Sequence, residues 1–218
     1  MLDPRVYFQF DEQRLIYIAT PKTASTSILL TIGVARGLTD VQPREIRGRF
    51  AAHIKRGSLQ QVNANYFKFS FVRNPYSRLV SCYENKFVEV REYGRDRFLY
   101  AHPPFEMSVG DTFEQFIRRI AEIPDELADR HFKSQTAFLY WKGLCLVDFI
   151  GRFETLTTDW SALAKRTYLP QQLCNLPREF PRRKMPANYQ DYYTPELAAL
   201  VFQRYRADFE RFGYAKDV

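Results

Sequence analysis

Twice in this chain a short apolar run stops at a polar loop that feeds straight into a helical pattern, and that repetition narrows the folds open to it. The first run, residues 14–20 (R-L-I-Y-I-A-T), is β-branched and aromatic and ends at Pro21. A polar turn over residues 21–25 follows. From Thr26 to about Arg36, Ile28, Leu29 and Ile32 share one helical face, and Gly37 is a stop. The second run, residues 66–72, alternates as a strand does and ends at Arg73. Asn74 is then a good N-cap and Pro75 a natural first helical residue, and Leu79, Val80, Tyr83 and Phe87 form one stripe. The pattern also predicts helices over residues 111–122, with Asp111 and Glu114 as a capping box, over 158–168, and from Thr194 to a stop at Gly213. Residues 145–151 (C-L-V-D-F-I-G) read as a third buried strand. Such alternation predicts an α/β fold: a single domain with a mostly parallel central sheet flanked by helices. Ligands of such sheets bind beyond the carboxyl ends of the strands, where both polar loops fall.

Composition narrows the function less than the motifs do. With 218 residues, 45% of them hydrophobic, one sizeable core is within reach, and neither a linker nor a repeat interrupts it. The longest apolar runs are far too short to cross a bilayer, and the first residues lack the charged start and apolar core of a secretory signal. The chain as given therefore reads as soluble and cytoplasmic. Cys82, Cys145 and Cys174 form no C-x-x-C pair and read as small core residues. The three histidines show no metal-ligand spacing, so no metal is expected. Lys and Arg outnumber Asp and Glu by 32 to 25, a net charge of +7 that suits anionic partners: a nucleotide, an acidic polysaccharide, nucleic acid or a membrane surface. Charge alone does not choose among them.

The two loops carry the chemistry. In P-K-T-A-S-T-S, Lys22 to Ser27, a helix N-terminus offers unpaired N–H groups and the positive end of its dipole. Lys22 adds a full charge, and Thr23, Ser25, Thr26 and Ser27 add hydroxyls. The alternative is an ordinary hydroxyl-rich cap. Without the glycines of G-x-x-x-x-G-K-[ST], a nucleoside triphosphate P-loop is disfavoured. In F-V-R-N-P-Y-S-R-L-V-S-C-Y, Arg73 falls at a strand end and Ser81 two turns into the next helix. A guanidinium fork and a hydroxyl can hold a second phosphate there. Arg78 and Lys86 read as solvated helix-surface charges.

Together, in this order, these segments resemble the 5′-phosphosulfate loop and the 3′-phosphate motif of sulfotransferases that use 3′-phosphoadenosine 5′-phosphosulfate (PAPS). The resemblance is strongest to the carbohydrate branch, including heparan uronyl 2-O-sulfotransferases and bacterial polysaccharide and nodulation-factor enzymes. Residues 148–156 (D-F-I-G-R-F-E-T-L) and the closing Y-T-P-E through F-G-Y fit that branch too. The resemblance implies a P-loop-like sulfotransferase fold. It assigns the 5′-phosphosulfate to Lys22, Thr23, Ala24, Ser25, Thr26 and Ser27, and the 3′-phosphate to Arg73 and Ser81. The desulfated product would be PAP, with the loop around residues 182–188 closing over the adenine.

Sulfuryl transfer needs in-line attack by a hydroxyl and charge stabilisation on the departing oxygen. Lys22 is the candidate for the second task. A base near neutral pH is best supplied by histidine. His53 stands twenty positions before Arg73, and uronyl 2-O-sulfotransferases carry a catalytic histidine at a similar distance. A structural or substrate-contacting role is the alternative. His131, in an H-x-x-x-Q segment that resembles one bordering the acceptor cleft, is a candidate for orienting substrate, with a helix cap as the alternative. His102, beside two prolines, reads as a loop residue.

The basic clusters Arg91, Arg95, Arg97 and Arg178, Arg182, Arg183, Lys184 suit an anionic glycan acceptor, with Arg95 and Arg183 as candidate contacts, or else a solvated face. A carbohydrate is the expected partner and nucleic acid is not. Two rivals remain: a P-loop nucleotide kinase, and a non-enzymatic module for polyanions.

Overall fold

The structure is a computed structural model and describes residues 6–38, 43–51, 59, 64–94, 106–174 and 188–218. The chain divides into two compact units, each assembled from two stretches. Residues 1–73 and 137–177 make the first; residues 74–136 and 178–218 make the second.

The first unit is built on a four-stranded sheet. β1 (Tyr7–Phe10), β2 (Leu15–Ile18), β3 (Phe67–Val72) and β6 (Phe149–Arg152) lie in the order β1-β2-β3-β6. β1 runs antiparallel to β2, whereas β2–β3 and β3–β6 are parallel. The sheet is thus mixed and mostly parallel, as the alternating pattern predicts. β2, L-I-Y-I, is buried at every position, because an interior strand covered on both faces has no polar side to show. Phe8, Phe10, Leu15, Tyr17, Phe69 and Phe71 form one core with side chains of α1 (Ser25–Ala35), α2 (Pro43–Phe50) and α7 (Leu156–Thr167). Gly151 of β6 is dictated by packing: a Cβ there would stand 2.7 Å from Cδ1 and 2.9 Å from Cζ of Phe71.

The run at residues 145–151 is not one strand. Leu144–Cys145 (β5) pairs with Tyr140–Trp141 (β4) in an exposed hairpin, and only Phe149–Arg152 joins the main sheet. Lys142 and Gly143, both at positive φ, make the hairpin turn. Cys145 is therefore exposed rather than a core residue; Cys82 is buried and Cys174 half-buried. A run of apolar letters cannot reveal that Asp148 interrupts it to bind the Lys68 backbone N–H at 2.7 Å.

The second unit is helical: α3 (Pro75–Tyr83), a π-helical turn (Glu84–Val88), α4 (Glu89–Tyr93), α5 (Phe113–Glu122), α8 (Pro195–Arg204) and α9 (Arg206–Phe212). α6 (Thr136–Leu139) crosses the boundary between the units. Asn74 caps α3 as expected, accepting from the N–H groups of Tyr76 and Ser77, with Pro75 at the first turn. The cap of α5 is Thr112, in a reciprocal box with Gln115, one position after the predicted Asp111–Glu114 pair. Asp111 instead accepts from Ser108 N–H and pairs with Arg119. The closing helix breaks at Tyr205, whose ring is fully buried and whose hydroxyl bonds the Phe132 carbonyl. Gly213 ends it in the left-handed region, as the sequence predicts. Tyr76, Phe113 and Tyr193 meet edge-to-face at 5.0–5.2 Å in this unit's core.

Arg78 is not a solvated charge. It is buried in the second unit and donates to the carbonyls of Lys133 and Arg130 at 2.8 and 3.2 Å. Asp208, also fully buried, accepts from the N–H groups of Gln135 and Thr136. Burial raises its carboxyl pKa, against the pull of these N–H groups and the Arg78 charge.

Candidate functional site

The parallel register of β2 and β3 sets Ile18 opposite Ser70, so the chain leaves both strands at the same edge of the sheet, at Pro21–Lys22 and at Arg73. Side chains lock the exits together. Ser70 Oγ donates to the Ile18 carbonyl at 2.6 Å, and Thr20 Oγ1 donates across to the Phe71 carbonyl.

Arg73 completes the junction. It is buried, donates from Nη1 to the Lys22 carbonyl at 3.2 Å, and rests its guanidinium 4.1 Å over the Phe153 ring. The Phe153 N–H in turn bonds the Val72 carbonyl at 2.7 Å. Stacking fixes the plane of the fork.

The loop itself is bent against the preference of its residues. Lys22 has φ 73° and Ala24 φ 61°, both in the region that favours glycine. A loop without glycine thus adopts left-handed turns at two of three successive positions. Such conformations cost of order 1 kcal/mol or more each and persist where the surroundings impose them. Thr23 is part of that imposition: fully buried, it donates its hydroxyl to the Thr20 carbonyl at 2.8 Å. That hydroxyl, expected to face a ligand, is spent on holding the turn.

α1 begins at Ser25 without a side-chain cap, and its first intrahelical bond runs from Ile28 N–H to the Ala24 carbonyl at 3.1 Å. The N–H groups of Ser25, Thr26 and Ser27 therefore have no partner within the helix, and no acidic residue lies in its first turn. These three side chains are half-buried at the sheet edge. Arg47 of α2 donates from Nη2 to Ser25 Oγ at 3.1 Å and to Thr26 Oγ1 at 3.4 Å. The sequence gives little warning of Arg47, which sits in a basic helix with no strand-end signal. Arg47 therefore reaches the N-terminus of α1, and Arg73 reaches the loop that leads into it. Chemically, this can grip an anion by charge, oriented hydroxyls and backbone donors.

Ser81 is half-buried in α3 of the second unit. His131, also in that unit, is held by Asp129, whose Oδ1 lies 2.7 Å from Nδ1 and accepts the His131 backbone N–H at 2.8 Å. Burial pushes its pKa down to about 4, over the opposing pull of Asp129 and with the nearby Lys86 and Arg130 charges assisting. The ring is neutral at pH 7. It is no helix cap, and Gln135 of the same H-x-x-x-Q segment is buried on Asp208, where it serves the core. Arg91 is pinned over the Tyr83 ring and to the Val109 and Asp111 carbonyls. His53, His102, Arg95, Arg97, Arg178, Arg182, Arg183 and Lys184 lie outside the described residues. Ala51, two positions before His53, bridges antiparallel to Phe8. Among the described residues no group of three or more His, Cys, Asp or Glu could hold a metal, and no helix is long and apolar enough to cross a membrane.

Comparison with known proteins places these features in a lineage. The sequence model described as "Sulfotransferase family" matches residues 5–215. Carbohydrate sulfotransferase 14 of Danio rerio is 27% identical over 94% of this chain and 60% of its own length. The Homo sapiens protein of the same name is 26% identical over 94% and 58%. Carbohydrate sulfotransferase 12 of Mus musculus is 30% identical over 78% of this chain and 44% of its own. The chain thus spans 60% or less of the length of these relatives. No solved structure matches.

Proposed function

The chain belongs to the sulfotransferase family, and from that premise we propose that it moves a sulfuryl group from PAPS to a hydroxyl of a carbohydrate. The observation that carries this reading is the contact between Arg73 and the Lys22 carbonyl, 3.2 Å, which joins two anion-gripping strand exits at one sheet edge. A nucleotide with a phosphosulfate at its 5′ end and a phosphate on its ribose presents two separated anions, and two such exits suit it. The names of the matched relatives support a carbohydrate acceptor.

In the proposed reaction the acceptor oxygen bonds to sulfur as the bond from sulfur to the bridging oxygen breaks. The electron pair of that bond goes to the 5′-phosphate, which departs as PAP. Lys22 and the N-terminus of α1 neutralise the leaving oxygen, an electrostatic contribution made in place before reaction. Arg73 and Ser81 read the 3′-phosphate that distinguishes this donor from ATP. His53 takes the acceptor proton, on the strength of its sequence position. The left-handed Lys22 and Ala24 give the loop the backbone shape that glycines provide in P-loops, which supports a P-loop-like donor site without the P-loop signature.

The test is transfer of labelled sulfate from PAPS across a panel of oligosaccharides, with product mapping by mass spectrometry, beside thermal shifts with PAP, AMP and ATP. Sulfated product and a larger shift with PAP than with AMP or ATP are expected. Equal shifts with AMP and PAP would mean that no 3′-phosphate is read, and the proposal would fall.

A further inference from the structure

Arg47 stands where the dipole of α1 disfavours a cation. Positive charge beside a helix N-terminus opposes the macrodipole, and α1 carries no acid in its first turn to offset it. Yet the Arg47 guanidinium reaches the first two residues of α1, bonding Ser25 Oγ and Thr26 Oγ1 at 3.1 and 3.4 Å. It is steered there by its own helix: Ile46 is buried in the core beside α1, and the Arg47 guanidinium lies 5.8 Å from the Phe8 ring centroid.

The direction of these bonds matters. Arginine only donates, so both hydroxyls accept from it and each keeps its own proton to donate elsewhere. A serine and a threonine that would otherwise rotate freely, or bond back to the helix, are thereby set as donors.

We infer that Arg47 is a positioning residue of the donor site, which orients the Ser25 and Thr26 hydroxyls toward the 5′ anionic end of the nucleotide and adds positive charge there. This rests on the donor reading above. It adds a residue outside both nucleotide motifs, contributed by a separate helix. Its role differs from that of Lys22, which meets the leaving oxygen directly.

The experiment is calorimetric titration of PAP into the full chain and into R47M, R47K, the double variant S25A/T26A and the triple variant combining that pair with R47M. R47M is expected to weaken PAP about tenfold, the effect of losing charge-assisted bonds. R47K should recover only part, because an ammonium restores charge without the fork. In the S25A/T26A background, R47M should cost markedly less, since the groups that it positions are gone. Without ligand, R47M loses its bonds to Ser25 and Thr26 while repulsion at the helix end is relieved, so its melting temperature is the control for folding. PAP binding by R47M within twofold of the parent would overturn the inference, as would an undiminished R47M effect in the S25A/T26A background. Should R47M fold poorly, R47K decides alone: parental affinity would overturn the fork argument, and a loss at parental melting temperature would uphold it. Absence of PAP binding by the parent chain would instead sink the donor reading itself.

Discussion

Arg73 donates to the Lys22 carbonyl at 3.2 Å while its guanidinium rests on Phe153, so one side chain braces the first loop and, in the proposed function, also reads the 3′-phosphate. This double duty separates Arg73 from a simple ligand-binding arginine. Arg73→Ala should weaken PAP about ten- to a hundredfold, while AMP, which lacks the 3′-phosphate, loses less. Arg73→Lys should behave nearly as badly, because an ammonium cannot stack and fork together. Paired titrations with PAP and AMP check this, and equal losses for both ligands would assign Arg73 to loop bracing alone.

Lys22 combines charge with a left-handed backbone, φ 73°. Lys22→Ala and Lys22→Gly should both abolish turnover. Glycine tolerates this conformation and alanine does not, so the Gly variant should be the more stable by about 1 kcal/mol. Urea unfolding of the two variants gives the difference, and a more stable Ala variant would show that the loop relaxes.

Gly151 lies against the Phe71 ring with no room for a methyl group. Gly151→Ala should destabilise the chain by about 1–3 kcal/mol through overpacking of the sheet. A compensating Phe71→Leu should recover part of this. Thermal melts check both.

His131 makes stability pH-dependent. Its pKa is depressed from 6.5 to about 4 in the folded chain, so between these values the unfolded chain binds the extra proton. Its contribution is complete above pH about 6.5 and is lost as pH falls toward about 4, on the order of 3 kcal/mol in all. Asp208, with its carboxyl pKa raised by burial, pulls the opposite way. The quantity to measure is therefore the difference between the parent and His131→Phe in urea midpoints over that range. Parallel curves would mean that the ring titrates normally.

His53→Ala should abolish sulfate transfer while leaving PAP affinity within about twofold, as expected of a base that touches only the acceptor proton. Near-parental rates would move the base elsewhere. His131, neutral and oriented by Asp129, is the next to substitute.

Much of this was legible beforehand for local reasons. Asn74-Pro75 starts α3 because an asparagine oxygen and a proline ring suit a helix start wherever they occur. The run L-I-Y-I is an interior strand because it has no polar face. Where the reading failed, a distant partner decided. Arg78 reads as a surface charge until the carbonyls of Lys133 and Arg130 close over it, more than fifty residues away in sequence. Thr23 reads as a ligand hydroxyl until the turn brings Thr20 back to it. The closing helix reads as continuous until Tyr205 must reach Phe132.

By itself, then, the sequence determined the strand-to-helix junctions, their caps and the chemical types gathered at them, since these follow from backbone preferences within a few residues. Tertiary structure alone decided which groups converge. Register places Lys22 and Arg73 at one edge, and a separate helix brings Arg47 onto Ser25 and Thr26. Long-range pairing and burial are properties of the folded whole, and no local pattern of residues encodes which distant side chain will come to lie beside a given hydroxyl.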